Sequence, residues 1–318
     1  MRRSILQRLL IVFFLLAGPA LGQTAQGWQP QNSWAFVVGV LEWKDAQTWA
    51  PFPKRNRRDD QLVQALLKLG LPREHIVVLQ DQKATHDAIE HAFQSTLAQT
   101  AGSDTLFVYY AGHGYRDEAH GDFYMVPYDG YENETLWSLH DLALDLDQHF
   151  QGKRVILSAD CCHSGSLGDY VAKGGHKVPY AAFCSSSSKL ASTGNWTFSD
   201  DLLDLLTGNP AADLDGDGYV SLAEGGKLIA SEMKFAEDQS AGLTATSDFG
   251  AAEHFVSTSR RLRSDEGKLA MVRYEGEDWK ARILERKGNQ VLVRWLGDPD
   301  DSPDQWVEAK SVKVLKGL

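Results

Sequence analysis

Two short clusters in this chain of 318 residues combine side chains that can do chemistry together. One is Gly112-His113-Gly114; the other is Asp160-Cys161-Cys162-His163-Ser164-Gly165. A thiol attacks a carbonyl carbon as its thiolate, and an imidazole has the pKa to take that proton near neutrality. Glycine on both sides of His113 frees the backbone to turn sharply and admit a substrate carbonyl. The amide N–H of Gly114 and that of the attacking cysteine are then placed to hold an oxyanion. The chemistry indicated is hydrolysis through a cysteine nucleophile. The bland alternative is a small core cysteine, which is common at such positions.

The elements that must position these residues alternate. Apolar strand patterns cover residues 34–41, 76–79, 105–111, 154–158 and 180–185. Helical patterns cover 59–69, 85–97 and 138–150. In the first helix Leu62, Val63, Leu66, Leu67 and Leu69 fall mostly on one face, and Gly70 stops it; Ser138 and Asp141 open the third with a capping-box spacing. Strands that alternate with helices and lack polar alternation predict a mainly parallel sheet covered on both faces. Ligands gather at the carboxyl ends of strands in such sheets, and both clusters lie at strand ends.

Tyr109-Tyr110-Ala111-Gly112-His113-Gly114 together with Asp160-Cys161-Cys162-His163-Ser164-Gly165 resembles the caspase/metacaspase family of cysteine peptidases, over about residues 33–258. The resemblance implies an α/β caspase-like sandwich, a mainly parallel sheet between helices, and hydrolysis of peptide bonds. It implies Cys162, directly before His-Ser-Gly, as nucleophile in preference to Cys161, His113 as base, and the amides of Gly114 and Cys162 as oxyanion donors. His163 then points away from the nucleophile as a structural residue. Metacaspase-like members read Arg or Lys before the scissile bond through carboxylates. Asp160 matches the carboxylate of that pocket, and Ala111 is counted with it among the substrate-binding residues. A second acid belongs at the start of the first helix, where Asp59 and Asp60 are both candidates. The segment Lys54-Arg55-Asn56-Arg57-Arg58-Asp59-Asp60 lacks the family's usual Gly-Cys. Its basic residues leave two other readings: a solvated loop whose arginines pair with the Asp side chains, or a pocket that reads Asp. A third reading is a catalytically silent scaffold of the same fold, which the retention of His113 and Cys162 opposes. Family members are often cut after the nucleophile, so Lys173 or Lys177, in a loop expected over 165–179, is a candidate self-cleavage site. Cys184 reads as a core thiol, with substrate-wall contact from Ser185 to Ser188 as the sharper alternative.

Residues 213–224 carry an independent signal. Asp213, Asp215 and Asp217 fall at positions 1, 3 and 5 of an EF-hand-type loop, Gly218 at 6, the Tyr219 carbonyl at 7, Ser221 at 9 and Glu224 at 12. Hard oxygen donors at these offsets suit Ca²⁺. Gly208-Asn209-Pro210 interrupts the incoming helix and no second such loop follows, so a structural site is expected rather than a sensor.

The two ends differ from the middle. Arg2, Arg3 and Arg8, an apolar run over 9–17 and Ala20-Leu21-Gly22 form a secretory signal pattern over 1–22, with cleavage after Gly22 and a secreted or periplasmic protein as the result. The run falls short of the roughly 18 residues that a membrane span prefers, so no other membrane association is expected. Residues 265–318 read as short strands over 269–274, 279–287, 290–296 and 305–307, joined by a linker at 257–266. With Tyr274, Trp279, Trp295 and Trp306 they resemble a Tudor/agenet or chromo-barrel type of SH3-like β-barrel, whose aromatic residues can form a cation-binding cage. Its ligand is left open.

Charge and composition narrow the function further. The chain has 32 basic and 43 acidic residues, a net charge of −11; loss of the three arginines at the start makes this −14. Such a surplus of acid opposes non-specific nucleic-acid binding, and the expected partner is a protein or peptide substrate with a basic residue at the cut. Three cysteines, two of them adjacent, exclude a disulfide scaffold.

Overall fold

A computed structural model describes residues 28–131, 135–263 and 265–315. The expected signal segment at 1–22 lies outside the described residues. The chain begins with β1 (Ser33–Gly39), α1 (Arg58–Lys68), β2 (Ile76–Gln80), α2 (His86–Leu97) and β3 (Thr105–Ala111). A small excursion follows, β4 (Gly114–Arg116), β5 (Phe123–Met125) and β6 (Trp137–Ser138), then α3 (Leu139–His149), β7 (Arg154–Asp160), α4 (Gly165–Lys173) and β8 (Tyr180–Cys184). Next come α5 (Thr197–Thr207), β9 (Tyr219–Ser221), α6 (Leu222–Glu237), β10 (Gly242–Ala245) and β11 (His254–Ser257). The chain closes with β12 (Leu269–Tyr274), β13 (Glu277–Lys287), β14 (Gln290–Trp295), β15 (Gln305–Glu308) and β16 (Val312–Val314).

The main sheet runs β10-β8-β7-β3-β1-β2. All its pairings are parallel except that of edge strand β10 with β8. Every residue of β1 is buried, and alternate side chains serve opposite cores. Ala35 and Val37 join Leu62 and Leu66 of α1, Leu202 and Leu205 of α5, and Ile229 and Met233 of α6. Trp34, Phe36 and Val38 join Ile89 and Phe93 of α2, Leu142 and Leu146 of α3, and Leu167 and Val171 of α4. A strand buried on both faces needs no polar alternation, which is why these runs read as continuous apolar stretches. The mixed α/β architecture with a mainly parallel sheet is therefore as the pattern required.

One local expectation changes. The basic loop over 165–179 is mostly helix: α4 takes residues up to Lys173 and buries Leu167, Gly168 and Val171 against the sheet, which leaves only 174–179 as connection. The α4 face that carries Leu167 and Val171 is apolar enough to dock, and Gly174 at φ +70° stops the helix. Separately, β9 pairs antiparallel with β11.

The C-terminal strands form a separate, wholly antiparallel sheet ordered β15-β14-β13-β12-β16, consistent with a small barrel. Ala270, Val272, Ala281, Ile283, Val291 and Val293 fill its core. This sheet is docked rather than loosely tethered. Arg282 of β13 is fully buried against Glu232 of α6 at 2.8 Å and hydrogen-bonds Asp204 of α5. Arg294 of β14 also reaches Asp204, at 2.9 Å. The segment expected as a linker is pinned by buried Glu266, whose carboxylate takes Arg260 at 2.5 Å and the Arg263 amide at 3.0 Å. No helix among the described residues is long and apolar enough to cross a membrane.

Candidate active site

The two clusters meet because β3 and β7 are sheet neighbours in matching register. Ala111 lies opposite Asp160, and the Gly112 amide donates to the Asp160 carbonyl at 3.3 Å. Gly112 has φ +155°, and a Cβ there would fall 2.6 Å from the Tyr110 hydroxyl and 2.8 Å from the Val40 carbonyl oxygen. A Cβ on Gly114 would fall 2.0 Å from the Cys162 carbonyl oxygen. Both glycines are therefore required by close backbone approach, and the second is what brings the His113 loop against the Cys162 backbone. Tyr110 steadies the loop: its hydroxyl donates to the His113 carbonyl at 2.7 Å and takes the Val126 amide at 3.0 Å.

The His113 ring lies between Trp43 and Phe52, with centroids 4.5 and 4.6 Å away. Its Nε2–H donates to the Ala50 carbonyl at 2.8 Å, which leaves Nδ1 as the basic nitrogen of the neutral ring. Burial lowers the His113 pKa and the Ala50 carbonyl partly opposes this, so the imidazole is neutral at neutral pH. The Cys162 sulfur takes the Ser192 amide at 3.3 Å and lies 3.8 Å from the Ser192 hydroxyl. No hydrogen bond joins it to His113 in this conformation, a common state for ligand-free sites.

The three thiols differ in environment. Cys161 is buried, and desolvation pushes its pKa well above the ordinary range. Cys184 is buried too, pushed up to about 12. Cys162 alone is partly exposed. Ser185 and Ser186 belong to a buried hydroxyl network with Ser164 and the Cys161 carbonyl, not to a substrate wall. His163, at φ +60°, donates its amide to the Leu190 carbonyl at 3.0 Å and directs Nδ1 to the Ser188 carbonyl at 3.3 Å, so it braces the loop after β8.

A cavity of about 160 Å³ is lined by Gly112 and Asp160, by Ser192 and Trp196, and by Asp298 to Asp301 of the C-terminal sheet; Cys162 does not line it but is reached through Ser192, whose amide donates to the sulfur. Asp160 accepts the Ser199 hydroxyl at 2.5 Å, and Ser199 is in turn 2.7 Å from the Tyr109 hydroxyl. Desolvation pushes Asp160 up to about 7; Ser199 opposes the rise, while the carboxylates of Glu237 and Asp200 add to it. Asp59, Asp60 and Ala111, expected to contact substrate, lie outside this cavity. Asp59 is buried beneath Arg57, which holds it through Nε at 3.1 Å and Nη2 at 2.8 Å, so the chain's own guanidinium occupies this carboxylate. Asp60 points outward and accepts from Gln80 at 2.8 Å. Ala111 is buried within β3. None of the three lines the cavity. Of the neighbouring arginines, Arg58 pairs with Asp200 and Asp301, both at 2.6 Å, and only Arg55 faces the cavity. Sequence reasoning missed Ser192, Trp196 and the acidic loop of residues 298–301. The last could not be found, because nothing local shows where a distant sheet docks.

In residues 213–224 the carboxylates of Asp213, Asp215 and Glu224 each present an oxygen within 4.8 Å of the others. Glu224 at present caps α6 as Ser221's capping-box partner and takes the Leu214 amide at 2.9 Å. Asp213 takes the amides of Gly216 and Gly218 at 2.8 and 3.0 Å, so the loop is already curled around it. Asp217 departs from the set, at 2.8 Å from His254 Nε2. Tyr219 and Ser221 belong to β9, and the Tyr219 ring stacks on His254 at 4.3 Å. The donor set is all oxygen, which fits a hard cation such as Ca²⁺. In the C-terminal sheet, Trp295 has Tyr274 and Trp279 at 5.5 and 6.2 Å, whereas Trp306 lies apart, under Lys287 at 5.1 Å.

Residues 61–171 match the family of the metacaspase, peptidase C14 domain, an interval that contains both strand ends. The chain is similar to Metacaspase III c of Phaeodactylum tricornutum, 32% identical over 114 residues, or 31% of this chain and 33% of that protein. It is also similar to inactive metacaspase-4 of Trypanosoma brucei brucei, 30% identical over 140 residues, or 40% of this chain and 37% of that protein. The matches thus span about a third of the length of these curated relatives. Among solved structures the fold resembles a protein from Geobacter sulfurreducens, with a TM-score of 0.51 and 15% identity over 72% of this chain and all of that one. The Drosophila initiator caspase Dronc aligns at a TM-score of 0.45 and 10% identity, over 72% of this chain and 84% of that one. Residues 61–171, which hold His113 and Cys162, are thus similar to a metacaspase peptidase C14 domain.

Proposed function

We propose that this protein is an exported cysteine endopeptidase that cuts after Arg or Lys, with Ca²⁺ held in residues 213–224. The observation that carries the reading is the acid-lined cavity that shares Ser192 with Cys162, the one partly exposed thiol. His113 takes the Cys162 proton at Nδ1 after a side-chain rotation that brings ring and sulfur together. The sulfur then bonds to the scissile carbonyl carbon, and the amides of Gly114 and Cys162 hold the oxyanion. As the C–N bond breaks, the proton on His113 passes to the leaving amine. Water, deprotonated by His113, then hydrolyses the thioester and restores the thiol.

A basic side chain enters the cavity with its aliphatic stem against Trp196 and its charge toward Asp160. The Asp-reading alternative is weakened because Arg57 and Arg58 are committed to carboxylates of this chain. The silent-scaffold reading draws on the inactive trypanosome relative and on the present separation of His113 from Cys162. Export is supported by the signal pattern at 1–22. When bound, Ca²⁺ would neutralise the acids of Asp213, Asp215 and Glu224 and fix the approach to α6.

Reporter peptides ending in Arg, Lys or Asp, assayed with and without Ca²⁺ and beside Cys162→Ala, test the proposal. Turnover of the Arg and Lys reporters that is lost in Cys162→Ala supports it. Turnover of the Asp reporter alone, or none at all, rejects it.

A further inference from the structure

The cavity that reaches Cys162 through Ser192 draws on both parts of the fold. Its inner side comes from the strand ends, at Gly112 and Asp160, and from Ser192, whose amide touches the Cys162 sulfur. Its outer side comes from the β14–β15 connection of the C-terminal sheet, at Asp298, Asp300 and Asp301. That connection is held firmly. Asp301 receives a two-pronged pair from Arg58, at 2.6 and 3.1 Å, and the Asn56 amide at 3.0 Å. The Asp298 carboxylate takes the backbone amides of Asp300 and Ser302, both at 2.9 Å. The Gly297 amide donates to Thr197 of α5 at 3.3 Å.

These bonds leave one carboxylate uncommitted. Asp301 is neutralised by Arg58, and Asp298 is occupied with its own turn. Asp300 is exposed, and its carboxylate has no hydrogen bond or ion pair among the described residues. Among the described residues Arg55 is the one basic side chain lining the cavity. The lining acids therefore outnumber it, and a cation entering the cavity meets Asp160 on one side and Asp300 on the other.

We infer that the C-terminal sheet supplies a wall of the substrate pocket, and that Asp300 is a specificity-determining residue that engages the guanidinium or ammonium of the residue before the scissile bond. This rests on the Arg/Lys reading above and extends it. The pocket is then incomplete without residues 297–301, so the C-terminal sheet contributes to recognition at the cut itself, whatever its aromatic residues bind.

The test uses the full-length protein as wild type, Asp300→Asn and Asp300→Lys, with Glu277→Gln as an exposed barrel control outside the cavity. Two readouts are taken. One is the dissociation constant of agmatine, which presents a guanidinium on a short stem. The other is the ratio of kcat/KM for matched Arg and citrulline reporters. Loss of a charge-assisted contact predicts about tenfold weaker agmatine binding and about a tenfold lower ratio in Asp300→Asn, with a larger loss in Asp300→Lys. Agmatine binding that is absent in wild type, or unchanged within twofold in both variants, overturns the inference. Asp300-dependent agmatine binding without hydrolysis of any reporter leaves the pocket assignment standing and removes the peptidase reading. Hydrolysis of Arg reporters with Asp300-independent binding does the reverse.

Discussion

At Asp160 a carboxyl two residues before Cys162 lines the cavity yet is largely desolvated, with the acids Glu237 and Asp200 near it. Its pKa in the folded chain, about 7, lies above the ordinary carboxylate value. The folded state thus holds this proton more tightly than the unfolded chain, so stability falls as pH rises from about 4 through 7. Asp160→Asn removes that penalty while still accepting from Ser199. The expected result is a higher melting temperature than wild type at pH 8, worth on the order of a few kcal/mol, and little difference near pH 4. The same ionisation is needed to receive a cation, so kcat/KM for an Arg reporter rises with pH through about 7. In Asp160→Asn that limb disappears. Equal melting curves for the two proteins at pH 8 would show that the carboxyl is not desolvated. The paired glycines around His113 were legible as a motif, but their reason was not: Gly114 is needed because a backbone carbonyl 48 positions later approaches it. The Arg57–Asp59 pair was not legible for a similar reason. A neighbouring arginine can point into solvent, into a pocket or onto the acid two residues on, and local sequence does not choose among them.

Helix α4 and the loop before α6 behave differently from their sequence impressions. Lys173 is the last residue of α4, whereas Lys177 lies in the short connection to β8, with its ammonium on the Asp147 carbonyl. A peptidase needs an extended segment, so self-cleavage is expected after Lys177 rather than Lys173. Intact-mass analysis of freshly purified protein checks this: Lys177→Gln should abolish the cut and Lys173→Gln should leave it. A cut that survives in Cys162→Ala would show that another protease makes it. The parallel strands were readable because burial on both faces writes a continuous apolar run. Short elements such as β4, β5 and β16, each of three residues, write too little periodicity to be seen. The β9–β11 pairing was likewise invisible, because it joins the acidic loop to residues more than thirty positions away.

Across the whole molecule the C-terminal sheet and the peptidase-like layer share a buried ionic junction. Arg282 is fully buried among Asp201, Asp204 and Glu232, and Arg294 supports it from β14. Removing one member of such a group leaves uncompensated charge, at a cost of roughly 3–5 kcal/mol. Arg282→Ala is therefore expected to shift the urea midpoint strongly downward. A midpoint within experimental error of wild type would show that the junction is loose. The barrel strands could be read from their alternation, but their docking could not, since Arg282 sits in its strand like any surface residue of a small sheet. The consequence reaches the site, because the same docking carries residues 298–301 to the cavity. The central claim is that Cys162 is the reactive thiol beside an acid-lined pocket, served by His113. It is tested most directly by treating the protein with an arginyl chloromethyl ketone and mapping the adduct by peptide mass spectrometry, in wild type and in His113→Ala. The account predicts a single adduct on Cys162, slowed at least a hundredfold in His113→Ala and competed by agmatine. Modification at Cys161 or Cys184, or a Cys162 adduct whose rate ignores both His113 and agmatine, would contradict it.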